Sequence, residues 1–381
     1  MDFDVVVIGA GMAGSSAAAW IAASQRVALI EAEEAAGYHT TGRSAAMWLQ
    51  NYGPPDVRLL SRLSRPFFTT PPEGFTEVAL MRHRPVLFLG AATRPAELAA
   101  LLAEGEGLRQ TEVAEAMAMV PALRPGYASG AAIEADAFDM DVSAIQQGFL
   151  RQLRTRGGVL ALRNRAGRIE RHGGAWHVET SAGTAFRAKV VVNAAGAWGD
   201  VVAGIAGVAP IGLRPLRRTA SIIDPAPFEV ADWPMIIDAG RHWYARPEAR
   251  TRLLVTPEDE TPSYPHDVQP EEMDVAVGIE RMRQALSIDV RRVERSWAGL
   301  RTFTPDRSLA FGWDKDVPGF FWCVGQGGYG IQTSPAAGQL VADLVAERDC
   351  EEATAILPMV DPARFRVGSS KRNDVIRPGR E

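Results

Sequence analysis

Residues 3–31 read FDVVVIGAGMAGSSAAAWIAASQRVALIE, and this segment determines which fold the sequence predicts. Two short apolar runs, residues 4–8 and Val27–Ile30, are rich in valine and isoleucine, which favour buried strands. Between them, residues 13–23 are mostly small, helix-forming residues. The order strand, helix, strand predicts a βαβ unit at the start of a parallel sheet.

Three glycines, Gly9, Gly11 and Gly14, form a G-x-G-x-x-G motif between the first strand and the helix. In a dinucleotide site the first glycine makes the turn, the second lets the backbone approach a pyrophosphate, and the third lets the helix pack closely. Glu31 ends the second strand, where a carboxylate can accept from ribose hydroxyls and would repel the extra phosphate of NADP. The motif favours NAD or FAD over an ordinary βαβ unit.

The chain has 381 residues, a length that suits two domains, with 46% hydrophobic and 23% charged residues. Its net charge of −5 gives no reason to expect nucleic acid as a partner. The two cysteines, Cys323 and Cys350, lack the spacing of a zinc site or disulfide framework, so no metal is expected. No run of about 18 apolar residues predicts a membrane span. Because the first strand begins at once, we also expect no signal peptide and a cytoplasmic location.

Three further segments leave room for a ligand close to the backbone. In GYHTTGRSAA, residues 37–46, the sequence predicts a helix beginning at Ser44, or a loop that lies over a cofactor. In NAAGAW, residues 193–198, a strand ends in small residues, as in a packing turn or a ligand contact. Residues 319–347 repeat the order strand, glycine turn, helix. Because no acid follows at the ribose position, this helix start is expected to face a negative charge rather than a second dinucleotide.

Together with WAGLR, residues 297–301, these segments resemble the D-amino acid oxidase superfamily of FAD enzymes, which includes glycine oxidase, sarcosine oxidase and D-amino acid dehydrogenases. Within it, they are most similar to bacterial D-arginine dehydrogenase, over nearly the whole chain up to about residue 350. The resemblance implies an α/β fold in which a Rossmann-like FAD-binding domain of the glutathione-reductase type carries a mixed-sheet α+β substrate domain. It assigns residues 1–80, 137–217 and 301–365 to the FAD domain, 81–136 and 218–300 to the substrate domain, and 366–381 to a flexible tail.

The implied reaction is the oxidative deamination of a D-amino acid to a 2-oxo acid and ammonia, with FAD as the cofactor and an unknown electron acceptor. A hydride passes from Cα to flavin N5, and the imine then hydrolyses. The residues expected to bind FAD are Gly9, Gly11, Met12, Ala13, Gly14, Glu31, Gly42, Arg43, Ser44, Ala45, Gly167, Ala194, Gly196, Trp198, Arg301, Gly327, Gly328, Tyr329, Gly330, Ile331 and Gln332.

The resemblance also implies a set of substrate-binding residues. Arg301 matches an arginine that binds the substrate carboxylate, a task for which the planar guanidinium is suited. Arg218 matches a second substrate-side arginine. Tyr244 matches a tyrosine that hydrogen-bonds the carboxylate, Tyr52 a tyrosine on the lid side, and Gly328 a backbone carbonyl that accepts from the amine. Read without the resemblance, each of these residues would be an ordinary surface or core residue.

One departure from D-arginine dehydrogenase concerns the substrate side chain. Val86 stands where that enzyme carries a glutamate for the guanidinium, and Met47 and Leu49 replace polar residues of the pocket. A buried guanidinium without a partner is costly, so arginine should be a poor substrate. An apolar D-amino acid or a cyclic imino acid is expected instead. Because Cys323 lies inside an apolar strand, FAD is expected to be non-covalent.

Three alternatives remain open at this point. One is an FAD enzyme that oxidises a secondary amine or a 2-hydroxy acid, although the sequence offers no convincing histidine as the base that a hydroxyl would need. Another is a flavin-binding protein without catalytic activity, which the combination of Arg218, Tyr244 and Arg301 disfavours. The third, a nicotinamide dehydrogenase, is disfavoured by the C-terminal glycine segment.

Overall fold

The computed structural model describes residues 1–349 and 351–366. Cys350 and all of the predicted tail except Arg366 lie outside the described residues. The strands are β1 (Val5–Ile8), β2 (Val27–Ile30), β3 (Met47–Trp48), β4 (Met81–His83), β5 (Val86–Ala91), β6 (Arg109–Thr111), β7 (Ala128–Glu134), β8 (Phe138–Met140), β9 (Val159–Ala161), β10 (Ala166–His172), β11 (Ala175–Thr180), β12 (Ala185–Ala188), β13 (Val190–Asn193), β14 (Arg214–Ile223), β15 (Met235–Asp238), β16 (Tyr244–Glu248), β17 (Arg252–Thr256), β18 (Thr261–Pro262), β19 (Val293–Phe303), β20 (Ala310–Trp313) and β21 (Phe320–Val324).

The helices are α1 (Met12–Ile21), α2 (Pro55–Thr69), α3 (Pro95–Glu104), α4 (Val113–Met119), α5 (Val142–Thr155), α6 (Gly199–Ile205), α7 (Glu272–Ala285), α8 (Ser334–Val345) and α9 (Leu357–Val360). Short 3₁₀ segments cover Gly196–Trp198, Glu351–Ile356 and Pro362–Phe365. Across residues 1–349 and 351–366, no helix combines the length and apolar character that crossing a bilayer requires.

A six-stranded sheet contains the predicted βαβ unit. Its order is β20-β21-β13-β1-β2-β9, and β1 lies between β13 and β2 with both pairings parallel. All four residues of β1 are buried, as expected for a central strand covered on both faces. Helix α1 packs against α5 and α8 beside this sheet. The carboxyl ends of β1 and β2 therefore meet at one edge, where ligands bind in sheets of this type.

A second, nine-stranded mixed sheet forms the other large layer. Its order is β18-β14-β17-β16-β15-β5-β7-β6, and β19 pairs with β14 along its whole length. The β15–β5 pair is parallel and the remaining pairs are antiparallel. Strand β14 begins at Arg214 and strand β19 ends at Phe303, so each extends a few residues beyond the predicted limits of the substrate domain, 218 and 300. The division into domains stays a prediction.

The helix predicted to begin at Ser44 does not form. The Ser44 hydroxyl donates to the Thr40 carbonyl at 2.7 Å and closes a turn, instead of capping a helix. Residues Met47 and Trp48 then form β3, which pairs with β8 in a small three-stranded sheet with β4. Both side chains are buried there, so the apolar residues after Ser44 form a buried strand rather than the apolar face of a helix.

Candidate active site

The glycine turn between β1 and α1 is sterically closed at two positions and open at one. Gly9 has φ +101°, and a Cβ there would lie 2.6 Å from the Ala194 carbonyl oxygen. A Cβ on Gly14 would overlap the Gly9 carbonyl. A Cβ on Gly11 would meet only the Thr41 hydroxyl, at 3.4 Å. Gly9 and Gly14 are therefore required by packing, whereas the backbone of Gly11 is accessible to a ligand.

A cavity of about 280 Å³, which we call the glycine-turn cavity, lies beside this turn at the ends of β1 and β2. The Glu31 carboxylate lines it and is held by two backbone N–H groups, that of Ala10 at 2.7 Å and that of Glu33 at 3.0 Å. Each carboxylate oxygen keeps a lone pair that can accept from another donor. The position and orientation of Glu31 suit the ribose hydroxyls of a dinucleotide.

A second cavity, of about 160 Å³, adjoins the first, and we call it the arginine cavity because Arg241 and Arg301 line it. Thr40, Thr41 and the segment 196–197 line both cavities. The two spaces are thus neighbouring parts of one elongated cleft, which could hold a long ligand such as a dinucleotide.

Most of the predicted site residues line one of the two cavities. Those in the glycine-turn cavity are Gly9, Gly11, Glu31, Ala194, Gly196 and Trp198. Those in the arginine cavity are Met12, Ala13, Ser44, Ala45, Met47, Leu49, Tyr52, Gly196, Tyr244, Arg301, Gly327, Gly328, Gly330, Ile331 and Gln332. The predicted residues that line neither are Gly14, Gly42, Arg43, Gly167, Tyr329, Arg218 and Val86.

Arg43 connects its own loop to β19 instead of facing a cavity. Its guanidinium donates to the carbonyls of Val268 and Ala298 at 3.0 Å each and forms an ion pair with Asp267. These contacts occupy the guanidinium with protein groups and leave it turned away from the cleft.

Val86 is fully buried inside the nine-stranded sheet, so it does not form the wall that we predicted. Its parallel neighbour in the sheet, Met235, lines the arginine cavity instead. Its antiparallel neighbour is Glu134, whose carboxylate accepts from the Gln50 and Asn51 N–H groups at 2.7 and 3.3 Å. Burial raises the pKa of Glu134. This carboxyl group therefore fixes the loop before Tyr52 and does not face the arginine cavity.

Arg301 is the central cation of the arginine cavity. It lies on β19 and donates from Nη1 to the Tyr52 hydroxyl at 2.9 Å. Within residues 1–349 and 351–366, no carboxylate lies within 4.0 Å of its guanidinium. Burial disfavours its charged form, but Tyr52, Tyr244, Glu258 and Tyr329 together outweigh this effect and raise its pKa. The Tyr244 hydroxyl has no hydrogen-bond partner in the described part of the chain and also faces this cavity.

Gly328 permits the contact between Arg301 and Tyr52. A Cβ at this position would overlap the Tyr52 hydroxyl and lie 3.0 Å from Arg301 Nη1. Nearby, Gln332 exchanges hydrogen bonds with the backbone N–H and carbonyl of Leu49 at 3.2 and 3.3 Å. The C-terminal glycine segment therefore positions both the cation and part of the apolar wall.

Arg218 lies behind the cavity rather than on its surface. Its Nε donates to the Asp259 carbonyl at 2.8 Å, and one Nη forms an ion pair with Glu260 at 3.3 Å. The other Nη is buried without a hydrogen bond in the described residues, 4.0 Å from Glu258. Burial and the neighbouring Arg301 lower the pKa of Arg218. Arg218 therefore lies close to Arg301 without lining the cavity, and its role in substrate binding stays a prediction.

Several residues of the site were missed by the sequence analysis, among them Thr41, Arg241 and Met235. Thr41 accepts from the Met12 N–H at 2.9 Å and so contacts the start of α1, which the repeated threonines before Gly42 could have suggested. Arg241 lines the arginine cavity and pairs with Glu258 at 3.1 Å. No local pattern marks Arg241 or Glu258, because their pairing depends on how the strands of the large sheet are arranged.

Glu97, Asp238 and His242 bring possible metal-ligand atoms within 4.8 Å of one another, outside both cavity linings. Arg94 already donates to Glu97 at 3.0 Å and to Asp238 at 3.1 Å, and His242 contacts Glu97 at 3.0 Å. The group therefore forms a satisfied ionic network, and the absence of a functional metal stays a prediction.

Residues 4–344 match the model of the family described as "FAD dependent oxidoreductase" (DAO). The chain therefore belongs to this family of FAD-dependent oxidoreductases, and the predicted fold class and FAD cofactor are confirmed. The glycine turn, Glu31 and the elongated cleft fit FAD. The family match does not distinguish among its members, so the similarity to D-arginine dehydrogenase in particular stays a prediction.

Among curated proteins, FAD-dependent oxidoreductase domain-containing protein 1 of Xenopus laevis is 27% identical over 177 residues, 42% of this chain and 35% of the relative. The Bos taurus protein of the same name is 23% identical over 403 aligned residues, 90% of this chain and 81% of the relative. The match to the Xenopus relative thus spans about a third of that protein's length.

Solved structures show a similar fold over almost the whole chain. L-proline dehydrogenase from P. horikoshii has a TM-score of 0.80 at 21% identity, with 95% of this chain and 97% of that chain covered. Glycine oxidase from Geobacillus kaustophilus has a TM-score of 0.81 at 21% identity, with 94% and 97% covered. At these identities the likeness establishes the shared fold.

Proposed function

We propose that this protein catalyses the FAD-dependent oxidative deamination of a D-amino acid. When bound, FAD supplies a hydride acceptor at flavin N5 for the hydrogen on the substrate Cα. The observation that carries the proposal is Arg301, which faces the arginine cavity without a carboxylate partner in the described chain. A partly buried guanidinium of this kind is stabilised by an anionic ligand, and the carboxylate of an amino acid supplies one.

The other cavity residues supply complementary positioning groups. Tyr244 and Tyr52 offer hydroxyls to the same carboxylate as Arg301, and the Gly328 carbonyl can accept from the substrate amine. Such contacts fix the orientation of Cα, and an enzyme that transfers a hydride needs orientation rather than a protein nucleophile. The resulting imine then leaves the site and hydrolyses to a 2-oxo acid and ammonia.

The lining of the arginine cavity favours a substrate side chain without positive charge. Met47, Leu49 and Met235 contribute apolar surface, while Arg241 and Arg301 repel a cationic group. These residues support the prediction that apolar D-amino acids are oxidised in preference to D-arginine. Non-covalent FAD is supported by Cys323, because burial raises the pKa of its thiol to about 12 and disfavours the reactive thiolate.

The positions of the six histidines bear on the alternative 2-hydroxy acid substrate, which needs a base for its hydroxyl. All six lie in the described part of the chain, and none lines the arginine cavity. Several structural relatives carry names that place their activity on amino acids or amines, among them glycine oxidase and L-amino acid deaminase. These names support an amino-acid substrate, while the D preference rests on the resemblance alone.

The cytoplasmic location stays a prediction.

The proposal is tested by mixing the purified, flavin-loaded protein anaerobically with D- and L-amino acids and following the flavin absorbance. We expect bleaching by D-leucine, D-methionine or D-phenylalanine, with D-arginine at least tenfold slower. Faster bleaching by L enantiomers would refute the stereochemical proposal, and faster bleaching by D-arginine would refute the side-chain proposal. Absence of bleaching by every amino acid would refute the deamination and leave a secondary amine, a 2-hydroxy acid or a protein without turnover. Release of flavin by acid precipitation checks that it is non-covalent.

A further inference from the structure

Arg241 occupies a position that the proposed deamination does not explain. It lies on the turn between β15 and β16 and lines the arginine cavity together with Arg301. Its Nε is 3.1 Å from a Glu258 carboxylate oxygen, and its guanidinium carbon lies 5.0 Å from the centre of the Tyr52 ring. Its two terminal nitrogens have no hydrogen-bond partner in the described part of the chain. They are therefore free to bind a ligand.

The backbone holds this ion pair in an unusual conformation. Arg241 has φ +61° and Glu258 φ +51°, the left-handed region that non-glycine residues seldom adopt. The Arg241 N–H donates to the Asp238 carbonyl at 2.8 Å, and the buried Asp238 carboxylate accepts from Arg94 at 3.1 Å and from the Tyr127 hydroxyl at 3.2 Å. The contacts of Asp238 thus hold the turn that carries Arg241 in place. Strained residues held in this way are concentrated at functional sites.

The charges around the arginine cavity do not balance. Arg218, Arg241 and Arg301 bring three positive charges, while the buried Glu258, which is near both Arg218 and Arg241, brings one negative charge. Glu260 also pairs with Arg218, but its carboxylate is shared with the additional cation Arg307. The carboxylate of Asp259 also lies near Arg218, so these groups leave one positive charge, which the carboxylate on the substrate Cα neutralises at Arg301. The two terminal nitrogens of Arg241 then remain without an anionic hydrogen-bond acceptor among the described residues.

We propose that Arg241 binds a second carboxylate, at the end of the substrate side chain, and that the preferred substrate is an acidic amino acid such as glutamate or aspartate. This proposal rests on the proposed deamination and narrows it. Arg301 takes the carboxylate on Cα, and Arg241 takes the distal one through its two free nitrogens. Met47 and Leu49 then contact the methylene groups between the two carboxylates rather than a wholly apolar side chain.

The first experiment compares matched substrates by anaerobic flavin bleaching. D-Glutamate and D-glutamine have nearly the same shape and differ in the distal charge, as do D-aspartate and D-asparagine. We expect at least one acid to exceed its amide at least tenfold in the second-order rate constant of bleaching, since hydrogen bonds between charged groups are about twice as strong as neutral ones. Equal rates for both pairs, or a faster reaction with D-leucine, would overturn this inference while leaving the deamination intact. Absence of bleaching by every amino acid would refute the deamination itself.

The second experiment assigns the effect to Arg241. Arg241→Gln should lower the rate constant for the acid about 10- to 100-fold more than it lowers the rate constants for D-leucine and D-glutamine. Arg250→Gln is the matched control, because Arg250 is also an arginine with positive φ but is exposed and lines neither cavity. An equal loss for all substrates would overturn the proposal, since Arg241 would then serve the carboxylate on Cα or the cofactor. The flavin spectrum and melting temperature show whether each variant is folded and loaded.

Discussion

Replacing Arg301 with methionine tests the carboxylate-binding arrangement most directly. Methionine keeps an unbranched apolar stem of similar reach but removes all five N–H donors. One donor is used by Tyr52 at 2.9 Å, so the remaining four are available to a ligand. A carboxylate that accepts two charge-assisted hydrogen bonds, each contributing about 1.5–3 kcal/mol, would lose about 3–6 kcal/mol of binding in the transition state. At about 1.4 kcal/mol per tenfold change, kcat/KM should fall about 10²- to 10⁴-fold.

The assay is anaerobic flavin bleaching with the best amino acid found for the wild type. Arg295→Met is the matched control, because Arg295 lies on the same strand, is exposed, and contacts Trp297 through a cation–π interaction at 5.5 Å. This control should retain activity within about twofold. If Arg301→Met binds flavin normally and loses less than tenfold in kcat/KM, the assignment of Arg301 to the substrate carboxylate is wrong.

Three further substitutions address the remaining parts of the cleft. Gly14→Ala places a methyl group on the Gly9 carbonyl, so we expect the purified protein to contain little flavin. The ratio of absorbance at 450 and 280 nm measures the flavin content, and full occupancy would contradict this packing argument. Gly328→Ala should separate Tyr52 from its arginine partner and lower kcat/KM about tenfold or more with flavin retained, and an unchanged value would contradict the assigned contact. Burial raises the pKa of Glu134, so its contribution to stability is largest below the ordinary glutamate pKa of about 4.3 and is lost as the pH rises through the raised folded value. Glu134→Gln cannot ionise, so its melting temperature relative to wild type should increase from pH 4 to pH 8; a constant difference would count against the explanation.

The local parts of the fold were predictable because the signal lies within a few neighbouring residues. The glycine motif predicted β1, α1 and β2 within two residues, since Gly9 and Gly14 are required by the turn itself. The segment after Ser44 was predicted wrongly because its apolar residues fit either a helix face or a buried strand. The choice is made by β8, which supplies the pairing partner from about 90 residues away.

The substrate side of the site was predictable only where the family resemblance provided a match. It led to Arg301, Tyr52 and Tyr244, which the structure brings together around one cavity. No sequence pattern marks Arg241 or Glu258. The two residues lie in different connecting segments and form an ion pair only in the folded protein. The family match was misleading for Val86. This residue aligns with a pocket residue in the sequence, but its side chain is fully buried behind the cavity wall.

The shared wall of the two cavities has a consequence for cofactor choice. Thr40, Thr41 and residues 196–197 contact both spaces, so a molecule that fills both is a bivalent ligand. Once one half is bound, the other half is present at a high local concentration, and the combined affinity can exceed that of either half by about 10²–10⁴. A ligand that fills only one of the two spaces does not gain this advantage. The length of a ligand such as FAD can therefore contribute to its affinity for this cleft.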